Sequence, residues 1–210
     1  MLRRGRFSYR RARLVPAQKP TPQKRATAQK ALRKLRTLQS KGQCDLVFGD
    51  ETGFSLQPSL PYLWQPKGGT LGIPAQAHSK RINVIGFLHD SGNVFYHHLK
   101  EGRVDATEFI AAVETDLLPH LQRKTVLVLD NSSVHRASIV SERRPEWKKK
   151  GLRLFFLPPY SPHLNRIETL WRFIKKRWLS PTAYLNLQTL FASVTSILQA
   201  VGAKYLVTFA

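Results

Sequence analysis

Acidic residues are scarce in this chain: 13 Asp and Glu stand against 34 Lys and Arg in 210 residues, for a formal net charge of +21. Cysteine is scarcer still. The single Cys44 can close neither an internal disulfide nor a cysteine-based zinc site, which fits a reducing cytosol. No apolar run approaches the roughly 18–20 residues of a membrane span. The opening MLRRGRFSYRRARLVPAQKP also lacks the apolar block of about 7–15 residues that a secretory signal needs. A soluble protein with no membrane partner is therefore expected. What is present is enough for a core: 42% of residues are hydrophobic and four are Trp, which excludes wholesale disorder. The length suits one domain with an appendage. A field of this sign attracts polyanions, and nucleic acid is the commonest polyanion in a cell. Ribosomal association or plain solubility would account for the charge alone.

The basic residues are unevenly spread. Arg3, Arg4, Arg6, Arg10, Arg11 and Arg13 crowd the first segment, and eight further Lys and Arg precede the first acid, Asp45. Residues 1–44 read as a basic arm. Within it, TPQKRATAQKALRKLRTLQS (21–40) is rich in helix formers but has only Leu32, Leu35 and Leu38 as an apolar stripe. A marginal helix that docks or lies on DNA and a solvated tail are both open readings. From 45 to 210 the texture becomes that of a folded domain. DLVFGDETGF is a strand that ends in charge, and RINVIGFLHDSGNVFYHHL is a hairpin turning at His89-Asp90-Ser91-Gly92. DATEFIAAVETDLLPHL has helical spacing with Asp105 as N-cap. TVLVLD and RLFFLP are further strands around a short basic helical stretch. Residues 165–179 form a helix with Ile167, Trp171, Ile174 and Trp178 on one stripe, and another amphipathic segment covers about 187–201. This order predicts an α/β fold. The sheet is mixed, with its first three strands in an antiparallel meander, parallel additions through helical crossovers, and helices on both faces.

Two strands end in an acid: Asp50 after Leu46-Val47-Phe48-Gly49, and Asp130 after Val126-Leu127-Val128-Leu129. In open α/β sheets functional groups gather beyond strand ends. Close carboxylates repel, and a divalent cation makes their convergence favourable. Oxygen-only ligands suit Mg²⁺ or Mn²⁺, and two such ions about 3.5–4 Å apart can activate a water or a 3′-hydroxyl and stabilise the leaving oxygen. That chemistry needs a further acid. Glu168 is the candidate, in the first turn of a helix that follows the proline-rich elbow LPPYSP and just off its apolar stripe. Asn165-Arg166-Ile167-Glu168 also reads as a capping box, with Asn165 starting the helix. His135, five residues after Asp130, either orders the site or is structural. Glu51 points away from Asp50 if the strand persists. Trp64, in YLWQPKG, either packs the sheet edge or stacks on bases.

FGDETGFSLQPSLPYLWQPKG, LVLDNSSVHRA and LPPYSPHLNRIETLWRFIK resemble, in order, the three acidic motifs of mariner-like DDE transposases, in particular their bacterial insertion-sequence branch. The resemblance runs from about Asp45 to the closing YLVTFA. It implies an RNase H-like five-stranded sheet and a triad of Asp50, Asp130 and Glu168 holding two Mg²⁺ or Mn²⁺ ions, with 37 residues between the last two acids. Glu51, Asn131, His135 and Asn165 take supporting positions. Arg166, Lys175 and Lys176, with the arm arginines, contact DNA. The implied reaction is hydrolysis of a phosphodiester at the element's ends, then attack of the freed 3′-hydroxyl on target DNA, without a covalent protein–DNA intermediate. Possible outcomes beside it are a related metal nuclease without strand transfer and an inactive DNA-binding remnant. The resemblance further implies work in the bacterial cytoplasm at the nucleoid, as a homodimer on DNA. Arg166 stands where the family usually has Pro. The helix-turn-helix modules that usually precede the catalytic domain would need more than the 44 residues present. A separate or fused helix-turn-helix portion, as in a split or frameshifted transposase, or a truncation is therefore expected.

Overall fold

The computed structural model describes residues 21–59 and 80–209, together with 65, 67–69, 72 and 75. The arginines at 3, 4, 6, 10, 11 and 13 and Trp64 lie outside the described residues. Five strands form one sheet: β1 (Asp45–Phe54), β2 (Ile82–His89), β3 (Phe95–Glu101), β4 (Thr125–Leu129) and β5 (Leu152–Phe156). Their order is β3-β2-β1-β4-β5. β1, β2 and β3 pair antiparallel, whereas β4 joins β1, and β5 joins β4, in parallel. The hairpin turns where expected, with Gly92 at φ 77°.

β1, β2 and β4 are apolar on both sides because both sides are covered. Val47, Ile85, Phe87, Leu127 and Leu129 face one cluster, closed by the two crossover helices. These are α2 (Ala106–Ala112) and α3 (Ser138–Lys149). The Asp105 carboxylate caps α2, accepting from the N–H groups of Thr107 and Glu108 at 2.9 and 3.1 Å. Leu46, Phe48, Val84, Leu88 and Val128 face the other cluster, beneath α4 (Ile167–Phe173) and α5 (Leu187–Gln199).

Two sequence expectations shift. α4 passes into a π-helical turn at Ile174–Trp178, which rotates the next residues around the axis. Trp178 therefore leaves the Ile167–Trp171–Ile174 stripe and stacks on Phe173 and Tyr205, with ring centroids 5.4 and 4.8 Å apart. The 21–40 segment is a docked helix, α1 (Pro22–Ser40), started by Thr21 and Pro22. Its Ala28 and Leu32 are buried, Leu32 within the second cluster, where it contributes about 1.5–3 kcal/mol of apolar burial. Arg36 adds a bond to Asp90 in the hairpin turn at 3.2 Å.

Candidate active site

The parallel register of β1 and β4 sets Phe48 beside Val128. Two residues further on stand Asp50, still within β1, and Asp130, the first residue beyond β4. Asp50 is not at a strand end, as its sequence suggested. β1 continues to Phe54 because β2 keeps pairing with it from Val47↔His89 to Phe54↔Ile82, after β4 has stopped at Leu129. Asp50 is paired there with Gly86, over which the Trp171 ring lies so closely that a Cβ on Gly86 would sit 2.6 Å from the ring. The indole Nε1–H donates to Asp50 Oδ2 at 3.2 Å. Glu168, one turn before Trp171, is thereby brought to the same cleft as Asp50.

The elbow is fastened from below. Asn165 is buried, and its Nδ2 donates to the Gly49 carbonyl of β1 at 3.1 Å. Its side chain therefore makes no capping box: α4 begins at Ile167, and the Glu168 N–H goes to the Asn165 backbone carbonyl. Glu168 is left free of a capping role.

His135 links two acids across the sheet. Its ring is fully buried, stacked at a tilt on Phe109, with Nδ1 2.8 Å from Asp130 Oδ1 and Nε2 2.7 Å from Glu51 Oε1. Burial works against a charged ring, but the two carboxylates overcome it and raise the imidazole to about 10, so it is an imidazolium donating from both nitrogens. Burial likewise pushes Asp130 upward, but the bonds from His135 and the Ser132 N–H hold it below its ordinary value. Asp50 behaves oppositely: burial first, then the charges of Glu168, Glu51 and Asp130, push it up to about 8. Burial also raises Glu168, against the pull of Lys175.

Among the described residues no three acids, histidines or cysteines close on one point as a ready metal cage. The set fits a hard divalent cation on other grounds. Its donors are all oxygen, and Asp50 is held above its ordinary range by burial and by acid neighbours whose charge a cation would neutralise. Mg²⁺ takes only one or two carboxylates and completes its shell with water and phosphate.

The cleft above the acids has a volume of about 1430 Å³ and is walled by α1, α4 and the start of β2. Arg33, Arg81, Arg172, Lys175 and Lys176 line it, and among the described residues none has a carboxylate within 4.0 Å. Arg166, expected at phosphate, also lines the cleft but is bound to the hairpin turn. Its Nη1 holds Asp90 Oδ1 at 2.8 Å and the Asp90 carbonyl at 2.7 Å, and its guanidinium lies 4.4 Å over the Phe209 ring. Sequence reasoning missed Trp171 as a partner of Asp50, and Arg81 and Arg172 as cleft residues. The isolated Gly86 inside the apolar run INVIGFL was the available signal, since a glycine within a strand often marks close approach by another group.

A family model described as DDE superfamily endonuclease matches residues 45–190. The chain belongs to this family. Among curated relatives, a 39 kDa protein of the insertion element IS630 from Shigella sonnei is 25% identical over 130 residues, 60% of this chain and 36% of the relative. The y4pE/y4sA protein of Sinorhizobium fredii (strain NBRC 101917 / NGR234) is 39% identical over 56 residues, 26% of this chain and 36% of that protein. This DDE endonuclease chain thus spans little more than a third of the curated relatives it matches. The catalytic domain of the Mos1 mariner transposase shares the fold, with a TM-score of 0.52 at 17% identity, covering 89% of this chain and 86% of that one. The Mos1 strand transfer complex gives a TM-score of 0.59 at 20% identity, covering 95% and 60%. The RNase H-like sheet expected from the sequence is the fold of this DDE domain.

Proposed function

We propose that this chain is the catalytic portion of a DNA transposase that hydrolyses a phosphodiester at transposon ends and then joins the freed 3′-hydroxyl to target DNA. One observation carries the reading. Asp50 and Glu168 line the cleft, Asp130 stands in the recess that shares Glu168 with it, and among the described residues five of the cleft's cations have no carboxylate within 4.0 Å; a polyanion is what such cations take. The solved Mos1 relatives support it, having been captured as a strand transfer complex and as paired-end complexes with Mn and with Mg.

Asp50, Asp130 and Glu168 would hold two Mg²⁺ or Mn²⁺ ions. Bound there, the ions would supply an activated attacking oxygen and charge stabilisation of the leaving one. The chain's own residues supply the positioning. Trp171 fixes Oδ2 of Asp50, and His135 occupies Oδ1 of Asp130, leaving its other oxygen for the cleft. Asn165 and the prolines hold the start of α4. Lys175, Lys176, Arg172 and Arg81 hold backbone phosphates on either side of the scissile one. End recognition is assigned to a helix-turn-helix portion, separate or fused, and function to a homodimer on DNA.

The test is nicking of supercoiled plasmid with Mg²⁺ or Mn²⁺. Asp50→Asn, Asp130→Asn and Glu168→Gln should each lower the rate by at least about a hundredfold while DNA binding persists. Full activity in any of the three removes that residue from the triad. Joined products, as opposed to nicks alone, separate a transposase from a nuclease of the same fold.

A further inference from the structure

A second recess, of about 460 Å³, shares Glu168 and Asn165 with the basic cleft but opens at the C-terminal ends of β4 and β5. Its walls are the turn from Asp130 to Ser132 and the proline-rich elbow that carries Tyr160. The volume falls in the range of about 300–1,000 Å³ typical of sites for one small organic group. It is a third of the basic cleft, which is open enough for a polymer.

The chemistry of its walls is specific. Tyr160 is 55% exposed, and among the described residues its ring meets no other ring or cation and its hydroxyl makes no hydrogen bond. Pro158, Pro159 and Pro162 add flat apolar surface. Polar groups stand opposite. Arg136 donates to Asn131 Oδ1 at 2.7 Å, which leaves the amide hydrogens of Asn131 available. Ser132 is spent within the turn, its Oγ accepting from the His135 N–H at 3.4 Å and its hydroxyl helping to hold Asp130 below its ordinary value. Asn165, 97% buried by its 3% exposure, also lines the recess, and its Oδ1 has no protein partner.

The backbone at Tyr160 is also informative. Its φ of 53° makes it the only residue other than glycine in the left-handed region among those described. Gly or Asn serves a bare turn there at lower cost, and a bulky aromatic is unfavourable. Strain of this kind concentrates at ligand-contacting positions. The ring is displayed in spite of the turn it sits on.

We propose that this recess receives one unpaired nucleobase from the nucleotide beside the scissile phosphate, with Tyr160 stacked on its face and the Asn131 amide donating to its edge. The inference rests on the reading of the cleft as a DNA-cutting site. Asp130 and Glu168 border the recess, so a base within it belongs to a nucleotide at the reacting bond. Stacking on an exposed aromatic accepts any base, and the amide hydrogens of Asn131 favour a base edge rich in acceptors.

The test uses single-stranded oligonucleotides in EDTA, so that no cleavage occurs. One ends in a 3′ 2-aminopurine nucleotide and its twin ends in an abasic nucleotide. Affinity is read by anisotropy of a 5′ fluorophore and stacking by 2-aminopurine quenching. The unaltered chain should prefer the base-bearing end by about fivefold or more and quench it. Tyr160→Phe should behave alike. Tyr160→Asn, which suits the left-handed backbone and should keep its melting temperature, should bind both ends equally without quenching. Equal affinity of the unaltered chain for the two ends, or quenching that survives in Tyr160→Asn, overturns the recess while leaving DNA binding intact. Failure of both oligonucleotides to bind removes the reading of the whole cleft, and this proposal with it.

Discussion

Without a cation at hand, burial and three acid neighbours keep a proton on Asp50 up to about pH 8. A carboxyl raised on folding stabilises the fold below its unfolded value near 3.8, and that contribution is lost as pH rises through about 8. The His135 imidazolium acts in the same direction, since its contribution is complete below 6.5 and disappears through about 10. Asp130 acts oppositely, its contribution being lost only as pH falls below 3.8. In EDTA the melting temperature should therefore fall steadily between pH 6 and 9. Asp50→Asn should flatten that fall and melt higher than the unaltered chain at pH 9, by about 2–4 °C for each kcal/mol of repulsion removed. Parallel melting curves for the two proteins would contradict the raised proton affinity of Asp50. The same residues show what the sequence could and could not tell. The acids themselves were legible, because a carboxylate inside or after an apolar strand has few structural uses. The His135 bridge to Glu51 was not legible, because the two lie far apart in the chain and only the sheet brings them together.

At the scale of elements, α4 is seated where side chains are missing. Gly86 leaves room for the Trp171 ring, and Phe95 crowds the same spot, 2.9 Å from where a Cβ would be. Gly86→Ala should force the helix off the sheet and cost about 1–3 kcal/mol in a denaturant titration. It should also lower cleavage more than DNA binding, because the indole bond to Asp50 and the placement of Glu168 both depend on that seat. Unchanged stability would mean that Trp171 does not set the height of α4. Helix and strand identities were legible from apolar spacing, whereas the termini and turns were less so. The end of β1 was misplaced because apolar letters do not reveal that β2 continues to pair beyond them. Asn165 had the spacing of a cap but reached instead for the Gly49 carbonyl, a tertiary hydrogen bond that no local pattern encodes. The stripe on α4 held until the π turn rotated Trp178 away.

Across the whole molecule, a charge of +21 is sorted into committed and uncommitted cations. Arg36, Arg123 and Arg166 hold the fold through Asp45 and Asp90, whereas among the described residues five Arg and Lys lining the cleft have no carboxylate within 4.0 Å. If those five meet phosphates, the logarithm of DNA affinity should fall with the logarithm of salt at a slope of about −4 to −5, and Lys176→Ala should make it about one unit shallower. A slope shallower than about −2 would place the DNA elsewhere. Composition alone announced the polyanion, but only the fold separates the arginines that clamp the hairpin from those five cations. The alternation of side chains along β1 has a consequence for how such a sequence can change. Asp50 faces the side of Phe48 because it stands an even number of residues from it within β1, whereas Asp130 follows the end of β4. One residue inserted between Phe48 and Asp50 would turn that carboxylate through the sheet toward α2 and α3. The 37 residues between Asp130 and Glu168 include a crossover helix and loops whose length the sheet does not count. Descendants of this chain are thus free to lengthen or shorten that interval, but not the two-residue step that aims Asp50.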